Sequence, residues 1–124
     1  MVNLLEEIRA ALDELNPRLE GRVVDVEMPR LFVAADTEPL HRALVALTER
    51  ALDLYQGDLT VRTTKHRGAA LVEISGEHRA LAPTAADWSD SVVRDVEAIG
   101  GALDTDGPVG WLTVPLAGAA NAPE

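Results

Sequence analysis

The chain has 124 residues, 47% of them hydrophobic, which is the size and composition of one globular domain, so we expect a single domain over residues 1–124. It contains no cysteine, and its three histidines lack the spacing of a zinc site, which excludes disulfides and thiolate metal sites. Its 21 acidic and 11 basic residues give a net charge of −10, which argues against a nucleic-acid partner because phosphate backbones would be repelled.

The hydrophobic residues are spread along the chain and do not form one long segment. The apolar runs are far shorter than the roughly 20 residues that a membrane span needs, and no signal-peptide pattern is visible. We therefore expect a cytoplasmic domain that makes no membrane contact.

The first part of the chain predicts a helix followed by two strands. Apolar residues on one side define a helix over residues 3–16, which begins at Asn3 and which Pro17 ends. Apolar residues alternate with acidic ones over residues 24–28, which predicts a strand with one wet face. A second short strand is predicted over residues 31–35.

The best-marked element is a helix over residues 36–55. Asp36 or Thr37 can cap its first backbone amides, and Pro39 fits its first turn. Apolar residues recur at steps of three and four and form one stripe that we expect to face the core: Leu40, Leu44, Leu47, Ala51 and Leu54. A second row beside this stripe is where we expect any functional side chains of the helix: Arg42, Ala46, Glu49, Arg50 and Asp53.

A hairpin and an irregular segment are predicted next. Period-two patterns over residues 59–64 and 69–75 indicate two strands, and Gly68 supplies the positive φ that their turn needs. The pattern is lost over residues 76–83, which predicts a loop, and loops often carry function.

The last part of the chain predicts a helix and a second hairpin. The helix covers residues 84–99 and ends at Gly100 in a left-handed cap. Residues 102–103 and 109–116 then form the hairpin, and residues 117–124 form a frayed tail. Hairpins separated by helices predict an α/β fold, a two-layer sandwich in which three helices cover one face of a mixed, mostly antiparallel sheet.

In order and spacing, these elements resemble the catalytic and ATP-binding domain of bacterial sensor histidine kinases. The resemblance covers nearly the whole chain and includes the segments PLHRALVALTERALDLY, LTVRTTKHRGAALVEIS, VEAIGGAL and GWLTVPL. It implies the Bergerat ATPase fold, which gyrase-type and MutL-type enzymes share. It also implies ATP and Mg²⁺ as cofactors, and as partners a response regulator and a phosphoacceptor helical hairpin of the same or a partner kinase.

The nucleotide motifs of this family fall on different residue types in this chain. The two asparagines of the family's helix motif, four positions apart, correspond to Ala46 and Arg50. The first glycine box corresponds to residues 76–80, where the aspartate that accepts the adenine amino group is replaced by Gly76. The second glycine box would lie near residues 86–90, which contain no glycine.

Arg50 stands where the family has an asparagine that holds Mg²⁺. Its guanidinium can bind phosphate oxygens directly, or it can form an ordinary surface pair with Asp53. Glu49 can act with Arg50 in catalysis, by orienting water or binding Mg²⁺, or it can be a solvated charge. The resemblance places Ala46, Arg50 and Asp53 in the cofactor-binding set.

The predicted loop supplies the remaining candidates of the cofactor-binding set, and Gly76 is the first of them. Glu77 can replace the missing adenine acceptor, and His78 and Arg79 can contact phosphates. The alternative is an ordinary polar turn of mixed charge. Trp88, by contrast, is predicted to be a core residue, as is Trp111, because each is in phase with an apolar stripe.

Two functions are compatible with these residues. The first is the ATP-binding catalytic domain of an atypical sensor histidine kinase, which supplies the γ-phosphoryl group of ATP to a phosphoacceptor histidine outside this chain. The second is a degenerate pseudo-kinase module that docks a response regulator or a partner kinase without nucleotide. An open polar pocket favours the first function, and a pocket filled by side chains favours the second.

Overall fold

The computed structural model describes residues 2–78, 88–104 and 111–117 of the chain. The elements in these ranges, in chain order, are β1 (Val2–Asn3), α1 (Leu4–Glu14), α2 (Asn16–Leu19), β2 (Val24–Glu27), β3 (Phe32–Val33), α3 (Thr37–Leu54), β4 (Tyr55–His66), β5 (Ala69–His78), α4 (Asp90–Ala98), β6 (Ala102–Asp104) and β7 (Trp111–Pro115). None of the described helices is long and apolar enough to cross a membrane.

Five strands form the main sheet in the order β2-β4-β5-β7-β6. β2 runs parallel to β4, and the other neighbouring strands pair antiparallel. Helices α1, α3 and α4 pack on one face of this sheet, with α3 between the other two. The predicted α/β sandwich with a mixed, mostly antiparallel sheet is therefore confirmed.

The predicted first helix starts as expected but ends differently. α1 begins where predicted, because the Asn3 side chain accepts a hydrogen bond from the backbone N–H of Leu5 at 3.1 Å. Helical structure does not stop at Pro17, which lies in the first turn of the short helix α2. Pro17 is tolerated there because a first-turn residue has no helical acceptor for its missing N–H.

The predicted strand over residues 31–35 is shorter than expected and does not join the main sheet. Only Phe32 and Val33 form a strand, and they pair antiparallel with Val2 and Asn3 in a separate two-stranded sheet. Val33 also forms an isolated bridge with Leu116. Strand β1 was not predicted, since two residues are too few to show a period.

The predicted core stripe of α3 is confirmed, because all five of its residues are buried: Leu40, Leu44, Leu47, Ala51 and Leu54. Asp36 is the N-cap residue of α3, but its side chain makes no capping hydrogen bond. The sheet contributes buried residues to the same core at every second position, and those of β5 are Ala70, Val72 and Ile74.

The hairpin of β4 and β5 is longer and tighter than predicted. Its turn consists of Arg67 and Gly68, which have φ values of 50° and 78°. Positive φ at both central residues matches the right-handed twist of the paired strands. The strands pair from this turn to Tyr55 and His78, with a register shift between Gln56 and Leu59.

The end of α4 confirms the predicted left-handed cap at Gly100, whose φ is 69°. A Cβ atom at Gly101 would collide with the backbone carbonyl oxygen of Thr113, so the second glycine lets the helix end approach β7. Residues 84–87, which the prediction included in this helix, lie outside the described residues. So do residues 118–124, whereas Ala117 is buried and does not belong to a frayed tail.

Candidate functional site

The position of the family's adenine-binding aspartate lies within a strand. β5 continues through Gly76 to His78, so the predicted irregular segment does not begin at residue 76. A Cβ atom at Gly76 would lie 2.8 Å from Cδ2 of Leu59 and 3.1 Å from Cβ of Tyr55. Both neighbours are buried. The space that a larger residue at position 76 would need is therefore occupied.

Glu77 was expected to lie in a loop. It lies instead on β5, opposite Gln56. Val72 and Ile74 of the same strand are buried in the core, whereas Glu77 is exposed. Side chains alternate along a strand, so Glu77 shares the outer face of the sheet with Glu73. This position directs Glu77 away from the helix layer.

The other two candidates of the predicted loop are His78 and Arg79. The backbone of His78 pairs with Tyr55 at the end of β5, which again is strand and not loop. Arg79 lies outside the described residues. Gly76, Glu77 and His78 are therefore consecutive residues at the end of β5.

The second row of α3 divides between two sets of contacts. Arg50 and Ala46 lie one helical turn apart and are partly buried. The guanidinium carbon of Arg50 is 3.4 Å from the centroid of the Trp88 ring, in a cation–π stack. This stack joins α3 to the segment that precedes α4.

Glu49 and Asp53 turn instead toward α2. Arg18 donates to a carboxylate oxygen of Glu49 at 3.0 Å and to one of Asp53 at 3.0 Å. Asp53 was predicted as a possible surface partner of Arg50, but it pairs with Arg18. The predicted Mg²⁺ ligand Glu49 has its charge compensated by Arg18.

A metal site at the second row does not fit these residues. Arg50 cannot ligate a cation, and its positive charge repels one. Within residues 2–78, 88–104 and 111–117, no group of three or more histidines, aspartates and glutamates could hold a metal ion.

Arg42, the first residue of the second row, makes the main polar contact between α3 and α4. Its Nε donates to both carboxylate oxygens of Asp95 at 3.1 Å, and its Nη2 donates to one of them at 2.9 Å. The hydrogen bond to Asp95 is the largest cause of a raised pKa of Arg42, and the negative charges of Asp95 and Glu38 add to it.

The two tryptophans do not occupy the core positions that were predicted. Trp88 precedes α4, is partly buried and packs at the border of the core. Trp111 begins β7 out of phase with the buried residues Leu112 and Val114, so it lies on the outer face of the sheet. The pairing of Trp88 with Arg50 was missed, although Trp88 lies within the stretch aligned with the second glycine box.

A cleft of about 400 Å³ lies between α4 and β6. Its lining is mainly apolar and consists of Trp88, Val93, Val96, Glu97, Gly101, Ala102 and Leu103. Val93 is one of the two large hydrophobic residues that are exposed in the described part of the chain. Trp88 therefore borders both Arg50 and this cleft.

No protein family model matches the chain, and no curated protein matches it. Several solved structures do. The mycobacterial sensor histidine kinase MprB is 20% identical, with a TM-score of 0.70 over 93% of this chain and 95% of that chain. The Acinetobacter baumannii histidine kinase AdeS is 15% identical, with a TM-score of 0.66 over 94% of this chain and 65% of that chain.

A third similar structure contains a nucleotide analogue. Full-length ShkA in complex with AMPPNP is 19% identical, with a TM-score of 0.71 over 94% of this chain and 30% of that chain. The agreement covers nearly all of the present chain in each case. At these identities it concerns the fold, and the chain has the fold of the catalytic, ATP-binding domain of sensor histidine kinases.

Proposed function

We propose that the chain is the nucleotide-binding module of an atypical sensor histidine kinase, which contacts the phosphates of ATP through Arg50. The observation that supports this proposal best is the fixed position of Arg50, stacked on Trp88 at 3.4 Å between α3 and the start of α4. A guanidinium is a planar donor that matches phosphate oxygens, and it supplies positive charge without a metal. The fold shared with ShkA, whose structure contains AMPPNP, adds support.

Such a module would bind nucleotide weakly. The place of the adenine acceptor is Gly76, and the neighbouring space is filled by Leu59 and Tyr55. Without a carboxylate there, the site lacks the group that distinguishes adenine from other bases. The phosphates would therefore contribute most of the affinity, and ATP and GTP would bind similarly.

Phosphoryl transfer would go to a histidine outside this chain, on a helical hairpin of the same or a partner kinase, and a response regulator would act downstream. Stabilisation of the transferring group by charge is the main requirement of this chemistry. A single arginine supplies part of that charge, so we expect slow turnover.

A second candidate, a docking module without nucleotide, is favoured by the same packing. Leu59 and Tyr55 close on Gly76, so side chains occupy the space beside the position that corresponds to the family's adenine acceptor. In this case the partner would be a response regulator or a kinase.

Calorimetric titration with ATP, ADP and GTP separates the two candidates. Nucleotide binding through Arg50 predicts weak binding of all three ligands, further weakened in Arg50→Ala and unchanged in Glu77→Ala, the control on the outer face of the sheet. An absence of binding heat for every ligand would reject the first candidate and leave the docking module.

A further inference from the structure

Strand β6 lies at one end of the main sheet. Its neighbour on one side is β7, which pairs with Ala102, Leu103 and Asp104. On its other side no described strand pairs with it. Within the described ranges, the N–H and C=O groups along that edge have no backbone partner. An edge of this kind can accept a further strand, because its unpaired groups are already aligned for the hydrogen bonds of a sheet.

The α4–β6 cleft lies on the helix side of β6. Leu103 pairs with the fully buried Leu112, so its side chain is on the face of the sheet that the helices cover. On α4, the lining residues Val96 and Glu97 follow Val93 by three and four positions, which places all three on one side of the helix. A strand added at the free edge would lie about 4.8 Å from β6, with every second side chain on the cleft side.

The lining indicates which kind of side chain fits the cleft. Val96 is buried, and Leu103 and Trp88 are partly buried, so the inner wall is mainly apolar. Val93 continues this apolar surface to the solvent and is 39% exposed. The volume of about 400 Å³ is in the range of ligand-binding clefts. A large aliphatic side chain therefore matches the cleft in size and polarity.

Glu97 adds a negative charge to this lining. It is exposed, and no ion pair of Glu97 occurs among the described residues. The whole chain has a net charge of −10, so basic segments are attracted to it and acidic segments are repelled. Charge complementarity therefore favours a lysine or arginine two positions from the apolar residue, on the same face of an extended segment.

We propose that the free edge of β6 and the α4–β6 cleft form a docking site for an extended basic segment of a partner protein. The segment pairs with β6 as an additional strand and places one large apolar side chain in the cleft. Backbone hydrogen bonds supply the affinity, and the cleft and Glu97 supply the specificity. This site goes beyond the proposed function and does not rest on nucleotide binding. The measurements below contain no nucleotide, so the two proposals are tested independently.

The first test uses fluorescence anisotropy with a labelled peptide of sequence Thr-Lys-Val-Leu-Val-Lys-Thr, whose leucine and lysines share one face when it is extended. The wild type should bind it, and Val93→Asp should bind at least about tenfold more weakly, because a carboxylate in the cleft disfavours an apolar side chain. Val23→Asp is the matched control and should bind like the wild type. Val23 is the other exposed large hydrophobic residue of the described chain, and it precedes β2 at the opposite edge of the sheet.

Two further peptides test the strand pairing itself. One carries backbone N-methyl groups on its valines, and the other carries them on its leucine and lysines. Alternate N–H groups of a strand point to opposite edges, so only one of these peptides loses its hydrogen bonds to β6. That peptide should bind at least about tenfold more weakly than the other. Equal affinities of the two methylated peptides would overturn strand addition.

Charge reversal tests the role of Glu97. Glu97→Lys should bind the lysine peptide more weakly than the wild type does. A peptide with glutamates in place of the lysines should show the opposite order, because the charges are then complementary again. If both proteins prefer the lysine peptide to the same degree, Glu97 does not select a basic segment and the proposal is wrong.

Two other results would also reject the docking site. One is the absence of binding of the lysine peptide to the wild type at millimolar concentration, and the other is equal binding by the wild type and Val93→Asp. Sedimentation of the chain alone tests a different partner for the same edge. A dimer that Val93→Asp dissociates would show that a second copy of this chain covers β6, in place of a basic segment.

Discussion

Arg42 on α3 holds both carboxylate oxygens of Asp95 on α4, at 2.9 and 3.1 Å. The Asp95 side chain is only 15% exposed, so water solvates its carboxylate less than it would solvate a surface carboxylate, and the hydrogen bonds from Arg42 matter more. We expect Arg42→Ala to lower the denaturant midpoint, because it leaves Asp95 unpaired at the helix contact.

Glu38→Ala is the control for this variant, since Glu38 lies on the same helix, 3.9 Å from Arg42, with a side chain 88% exposed. We expect its midpoint to stay close to that of the wild type. Equal midpoints for Arg42→Ala and Glu38→Ala would show that the contact with Asp95 does not stabilise the fold.

The buried stripe of α3 should be the most sensitive part of the helix. Leu47 has no exposed surface, and its truncation to alanine should lower the free energy of unfolding by roughly 2–5 kcal/mol. Urea denaturation of Leu47→Ala and Glu38→Ala checks this value. A Leu47→Ala protein as stable as the Glu38→Ala protein would contradict the assignment of the core face.

Sequence patterns predicted the fold well where many side chains repeat one period. The stripe of α3 extends over four turns, so its buried face was predictable, as were the glycines at positions 68 and 100 that need positive φ. The two-residue strands β1 and β3 were not predictable as a pair, because their sheet depends on contacts between distant parts of the chain.

The candidate site was much less predictable than the fold. Helical spacing placed Glu49, Arg50 and Asp53 in one row, but it could not show that Arg18 would bind the two carboxylates. The range of a long charged side chain and the position of its partner are set by tertiary packing. In the same way, the loss of alternation at Gly76 suggested a loop, although the backbone remains a strand.

The tight contact at Gly76 can be tested by a double-mutant cycle. In the wild-type background, Gly76→Ala places a Cβ atom 2.8 Å from Leu59 and should destabilise the protein by about 1–3 kcal/mol. In a Leu59→Ala background the same change should cost less, because the nearest neighbour is gone. Additive free energies of unfolding would contradict the contact.

Tyr55 gives the fold a dependence on alkaline pH. Burial, followed by the negative charge of Glu73, raises the pKa of Tyr55 above its usual value. The unfolded tyrosine loses its proton near pH ~10, whereas the folded one keeps it. The resulting stability is complete below that pH and is lost as the pH rises through the folded pKa.

Urea denaturation at pH 8 and pH 11 should therefore show a smaller alkaline loss of stability in Tyr55→Phe than in the wild type. Other groups that titrate in this range are common to both proteins, so the difference isolates Tyr55. The same loss in both proteins would show that Tyr55 ionises equally in the folded and unfolded chains.

The central claim, that Arg50 replaces a metal in contacting the phosphates, is tested most directly by ATP affinity with and without Mg²⁺ in the wild type, Arg50→Asn and Arg50→Ala. We predict weak wild-type binding that changes little with Mg²⁺. Arg50→Asn should bind more weakly without metal but respond more to Mg²⁺, and Arg50→Ala should lose affinity without that gain. Equal affinity in all three proteins, with the same response to Mg²⁺, would contradict the claim.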